Sequence, residues 1–121
     1  MKVESEDRGV HAVVRLKGTI SVGETTHSMS EAFARLEKEK TGAVIADLTL
    51  VKSLDSTALG LLVGALRRLR SLSRDLILVG PNESVSMLLS MTQLDTIFTV
   101  HRTVAEALAA LPSTPGGAGS P

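Results

Sequence analysis

The chain has 121 residues, 43% of them apolar, with 13 Lys plus Arg balanced by 13 Asp plus Glu. That suits one domain with a sizeable core. The zero net charge gives no electrostatic footprint for nucleic acid, and the absence of Cys excludes thiolate catalysis, disulfides and Cys-ligated zinc. The only aromatics are Phe33 and Phe98, so the core must be aliphatic and there is no stacking platform for single-stranded nucleic acid. The opening residues are too polar for a signal peptide, and no apolar run reaches about 18 residues, so no membrane span is expected. A soluble cytoplasmic domain is the plain expectation.

In chain order, residues 10–17 alternate: Val10, Ala12, Val14 and Leu16 on one side, His11, Arg15 and Lys17 on the other. A period of two predicts a half-buried strand, with Val13 breaking the rule. Asp7 to Gly9 reads as turn chemistry, so residues 2–6 are expected to pair with it as a hairpin. Met29, Ala32, Phe33 and Leu36 recur at helical spacing over 25–40, and Gly42 stops that helix. Residues 43–50, almost continuously apolar, predict a central strand covered on both faces. Leu59, Leu62, Val63, Leu66 and Leu69 then mark an amphipathic helix over 56–73. Arg67, Arg68, Arg70 and Arg74 gather toward its negative C-terminal end. A buried strand at 76–80, a short helix at 82–91, a brief strand at 97–100 and a last helix at 103–111 follow. Residues 112–121, rich in Pro, Gly and Ser, are expected to be a disordered tail beyond a domain of residues 1–111. Strands alternating with helices imply an α/β fold with a largely parallel sheet and an antiparallel pair at its start.

Most candidate chemistry falls away. His11, His27 and His101 sit on different elements without metal-ligand spacing, and read as surface or strand-edge residues. Ser56 lacks the G-x-S-x-G elbow of a hydrolase. Gly60 and Gly64, four apart, read as small residues that let a helix pack close to a sheet, and no phosphate-binding G-x-x-x-x-G-K is present. Asp47 ends an apolar strand as the phospho-accepting aspartate of a receiver domain does. The acidic pair and lysine of such a domain are missing, so a turn-forming acid is expected there.

The stretch Ser53 to Gly60, "SLDSTALG", is different. Asp55, Ser56 and Thr57 stand together at the mouth of an apolar helix. Asp55 or Ser56 can cap the helix's free N–H groups. A helix N-terminus also tolerates an anion, so a phosphate on Ser56 would add about −1.5 to −2 charges without unfolding the domain.

The segment 43–81 with its "LDSTALG" turn, together with 88–108, resembles the STAS domain of bacterial anti-sigma factor antagonists; the likeness runs from about residue 10 to residue 111. The resemblance implies a small mixed, largely parallel sheet with about four helices packed mainly on one side. It implies a binding module without enzymatic activity, metal or cofactor. Its partner would be an anti-sigma factor, often an ATP-dependent serine kinase. The kinase would phosphorylate Ser56, with Thr57 as second choice, and a phosphatase would reset the cycle. Partner contact is expected at Asp55, Ser56 and Thr57, and at Thr19 and Ser21 on the neighbouring loop. There the family often has Gly-Glu-Leu-Asp; here Gly18 is kept while Thr19 and Ser21 replace both acids. Ala58 stands where glycine is common. The alternative is a STAS interaction module that is never phosphorylated, such as a phospholipid-transporter partner or a signalling scaffold.

Overall fold

A computed structural model describes residues 2–20 and 24–111. Strand β1 (Lys2–Arg8) turns through Gly9 and Val10 into β2 (His11–Ile20), followed by α1 (Glu24–Glu39), β3 (Val44–Leu54) and α2 (Ser56–Ser71). Then come β4 (Leu76–Val79), α3 (Glu83–Met91), a 3-10 turn at Leu94–Thr96, β5 (Thr99–His101) and α4 (Val104–Ala109). The five strands lie in chain order across one sheet; β1 is antiparallel to β2 and every later pair is parallel. The hairpin expected at Asp7–Gly9 is present, but Asp7 and Arg8 are still strand and the turn is Gly9, at φ 70°, with Val10.

Sheet order explains where the helices go. Each parallel step from β2 to β5 needs a crossover, and crossovers of one hand, all stepping in one direction, land on one face. Met29, Phe33 and Leu36 of α1, Leu62, Leu66 and Leu69 of α2, and Val85 and Leu89 of α3 accordingly share one core with Val14, Ala46 and Leu78 of the sheet. Among the described helices only α4 reaches the opposite face, where Ala107 covers Val13, Ile45, Ile77 and Val79.

That second layer corrects the reading of β2 as half-buried. Val13 faces α4 and is fully buried, so the break in the alternation marks two covered faces. His11 is buried as well, not a surface or strand-edge residue, and its Nδ1 accepts a hydrogen bond from Ala43 N–H at 2.9 Å. Gly42 is small because of that ring: a Cβ there would stand 2.7 Å from His11 Cε1 and 2.8 Å from Val10 O.

β3 runs four residues past its expected end because it carries two bulges. Arg15 pairs with Asp47 but Lys17 with Leu50; Gly18 pairs with Val51 but Thr19 with Ser53. Each step inserts one extra β3 residue. Asp47 Oδ1 accepts from Thr49 N–H at 3.0 Å across the first bulge, so the acid is the turn-former expected of it. Gly18 sits at the second with φ 86°, a conformation that favours glycine, which gives its retention a backbone reason. β5 begins two residues later than expected, because the chain from Leu94 winds through a turn closed by Phe98 N–H on Leu94 O at 3.0 Å.

Arg74 does not serve α2. Its guanidinium donates to Gly42 O at 2.7 Å, Glu37 O at 2.8 Å and Leu36 O at 3.2 Å, closing the C-terminal end of α1. Burial pulls its pKa down, against an opposing pull from Glu37. Arg74→Ala strands the carbonyl of the buried Gly42 and should cost about 2–3 kcal/mol in a denaturant titration. Arg74→Lys keeps the charge without the fork and should recover only part of it.

On the sheet face beside α4, Glu6 accepts from Arg15 and pairs with Arg8, while Arg15 also reaches Asp47 Oδ2 at 3.4 Å. The hydrogen bond from Arg15 holds the Glu6 carboxyl below the usual range, and Lys40 does the same for Asp7. Both folded-state values lie below the unfolded ones. The stabilisation is therefore complete above the unfolded carboxylate values, near pH 4–4.5, and is lost as pH falls through the folded ones. Melting temperature should hold from neutral pH to about pH 5 and then drop. Glu6→Gln should flatten that drop; an unchanged acid slope would remove Glu6 from it.

Candidate functional site

The ends of β2 and β3 and the start of α2 meet at one edge of the domain. Thr19 pairs with Ser53 and Ile20 with Leu54, and Asp55 N–H then donates to Ile20 O at 3.0 Å. The turn into α2 is thus tied to the end of β2 by backbone bonds. Beneath it, Leu54, Ala58, Leu59 and Leu62 are buried in the main core. Ala58 is completely buried, so its methyl group both favours the helix and fills space.

Asp55 is the cap. Its backbone is extended (φ −92°, ψ 178°), its Oδ1 accepts from Ala58 N–H at 2.8 Å, and its carbonyl accepts from Leu59 N–H at 3.0 Å. Asp55 is half-buried. Ser56 and Thr57, the first two residues of α2, are exposed, and their hydroxyls make no hydrogen bond to another described residue. With Asp55 as the cap, the Ser56 side chain is not needed for the capping bond. The first turn of α2 holds no acidic residue, so the positive end of the helix faces Ser56 without an acid from that turn.

The structure brings Thr19, Asp55, Ser56 and Thr57 to this one edge, with Thr19 exposed on the last pairs of β2. Ser21 lies outside the described residues, as does the proposed tail at 112–121. Asn82 was missed. Its side chain caps α3 through Val85 N–H at 2.7 Å and donates to Val51 O at 3.0 Å and Lys52 O at 3.1 Å, pinning β3 at its second bulge. A polar residue after Gly80-Pro81 signalled the cap; nothing in the sequence signalled the bonds back to β3.

Gly60 and Gly64 also differ from expectation. They do not pack α2 on the sheet. They line the outer wall of the helix with Ser56, Val63 and Arg67, in a shallow groove against Leu94. No described set of three His, Cys, Asp or Glu could hold a metal, and no described helix is long and apolar enough to cross a membrane.

Comparison with known proteins decides the family: the model of the STAS domain matches residues 2–107. The chain belongs to the STAS domain family. A Thermotoga neapolitana protein that carries the name of an anti-sigma factor antagonist homologue is 40% identical over 65 residues, covering 54% of this chain and 58% of that relative. The match thus spans little more than half the curated relative's length. A Thermotoga maritima crystal structure described under the same antagonist name superposes with TM-score 0.79 at 26% identity, covering 88% of this chain and 92% of that one. SpoIIAA of Bacillus, an anti-sigma factor antagonist solved in unphosphorylated and phosphorylated forms, shares the fold. Its phosphorylated form gives TM-score 0.71 at 20% identity, covering 89% of this chain and 97% of that one.

Proposed function

We propose that this STAS domain is an anti-sigma factor antagonist of a cytoplasmic partner-switching pathway, and that phosphorylation of Ser56 turns it off. The observation that carries the reading is the division of labour at the turn. Asp55 makes the capping bond, which leaves the Ser56 hydroxyl exposed at the positive end of α2, with no hydrogen bond to another described residue. The antagonist names of its relatives, and the phosphorylated form of a protein with the same fold, support it.

The partner would be an anti-sigma factor serine kinase that docks on Asp55, Ser56, Thr57, Thr19 and Ser21. It would pass the γ-phosphoryl group of ATP to Ser56 Oγ, with release of ADP and the hydroxyl proton. The α2 N-terminus bears the new charge, so the domain stays folded. A partner surface packed on a neutral hydroxyl does not bear it, because a desolvated, unpaired phosphate costs several kcal/mol. A phosphatase then restores the hydroxyl.

The test is phosphotransfer. Wild type, Ser56→Ala and Thr57→Ala are each incubated with the anti-sigma factor kinases of the same genome and ATP, and the phosphate is mapped by mass spectrometry. Wild type and Thr57→Ala should carry it on Ser56, and Ser56→Ala should carry none. Labelling of Ser56→Ala equal to wild type would move the site elsewhere. No labelling of any of the three would leave a STAS module that docks without being phosphorylated.

A further inference from the structure

The parallel strands β2 to β5 end at one edge of the sheet. After β4 the chain enters α3, whose Val85 and Leu89 join the main core. After β5 it enters α4, whose Ala107 lies on the opposite face. Two neighbouring strands thus send their chains to opposite sides of the sheet, and the two paths part between them. In open α/β sheets such a fork leaves a crevice outside the strand ends, and small ligands bind there.

This fork has its crevice. It is a cavity of about 560 Å³, a size that suits a small molecule, lined by Thr49 of β3, Ser86 of α3, His101 of β5, Arg102 beyond it and Glu106 of α4. Its floor is bare backbone. Gly80 follows β4 at φ 64°, and its N–H donates to His101 O at 2.9 Å, which ties the two strand ends together. A Cβ there would stand 2.6 Å from Thr49 Oγ1 and 3.3 Å from Arg102 O, so a side chain would push the walls apart.

The walls hold polar groups that the fold leaves unspent. The Arg102 guanidinium and the His101 ring make no hydrogen bond or ion pair with another described residue. His101 is half-buried, so its ring is partly withdrawn from water without a described partner in return. Thr49 gives its hydroxyl proton to Asp47, which leaves its oxygen an acceptor. Glu106 is held by Arg102 N–H on Oε1 at 3.3 Å and keeps its second oxygen as an acceptor.

We infer that the crevice between the ends of β4 and β5 binds a small hydroxylated anion of the sugar-phosphate class. The phosphate oxygens accept from Arg102 and His101, and the sugar hydroxyls donate to Thr49 and Glu106. A guanidinium offers a phosphate two parallel N–H groups, and the two acceptors favour a hydroxylated ligand over the bare ion. The site shares no residue with the Ser56 turn, so the inference stands apart from the antagonist reading.

The probes are ribose 5-phosphate, ribose and inorganic phosphate. Each is titrated into the full chain by calorimetry, with backbone amide shifts followed by NMR. Ribose 5-phosphate should bind with a Kd of about 1 mM or tighter, and the other two at least about tenfold more weakly. It should move the amides of Gly80, His101 and Arg102 and leave that of Ser56 in place. Arg102 is exposed, so Arg102→Gln should melt as wild type does while weakening binding about tenfold or more. No binding of ribose 5-phosphate, or shifts that spare Gly80, His101 and Arg102, overturns the site. Inorganic phosphate binding as tightly as ribose 5-phosphate overturns the ligand class. Unchanged affinity in Arg102→Gln overturns the anion contact.

Discussion

Truncating Leu62 to alanine should destabilise the domain by about 2–5 kcal/mol, and Leu66→Ala should cost a similar amount. Leu62 is fully buried and Leu66 is 2% exposed, both in the core that joins α1, α2 and α3 to the sheet. They lie four residues apart on the inner face of α2, so each removal leaves a cavity between a helix and a strand that cannot both move in. Melting temperature should fall by roughly 3–4 °C for each kcal/mol lost. A loss under about 1 kcal/mol for both variants would mean that this face of α2 does not carry the core.

The other large effect is functional. Ser56→Ala should bind the anti-sigma factor as wild type does and stay bound in the presence of ATP, because the hydroxyl that receives the phosphate is gone. Ser56→Asp should weaken binding only partly: it brings one charge where a phosphate brings about −1.5 to −2. Neither change should unfold the domain, since Asp55 rather than Ser56 makes the capping bond to Ala58. A contrasting substitution, Asp55→Ala, removes that bond and should cost about 1 kcal/mol of stability. Pull-down with and without ATP reads the first effect, and thermal melting the second.

Much of this architecture was legible because local pattern and tertiary fold agree. The stripe of Leu59, Leu62, Val63, Leu66 and Leu69 gave α2 its orientation; the four leucines are buried, while Val63 is half-buried and lines the outer groove. Thr103 was read as the start of the last helix and caps it, accepting from Glu106 N–H at 3.1 Å. The failures share a cause, which is that the deciding partner lies far away in the chain. Val13 looked like an exception in a half-buried strand until α4 covered the second face. His11 looked exposed because its partner, Ala43, is 32 residues on. Arg74 looked like a counter-charge for its own helix, yet its three acceptors are on or after α1. At the candidate site the type and order of residues were readable at Asp55, Ser56 and Thr57. Which of them caps was not, because the choice depends on backbone angles at one position. The outward aspect of Gly60 and Gly64 was equally hidden, since a helical glycine reads the same on either face.

The most direct measurement is the affinity of the anti-sigma factor for unmodified and Ser56-phosphorylated protein, titrated at one ionic strength. A charge placed in the contact should cost about 3 kcal/mol, so phosphorylation should weaken binding roughly 150-fold while circular dichroism shows the domain still folded. Equal affinity for the two forms, with the phosphate mapped to Ser56, would contradict the switch.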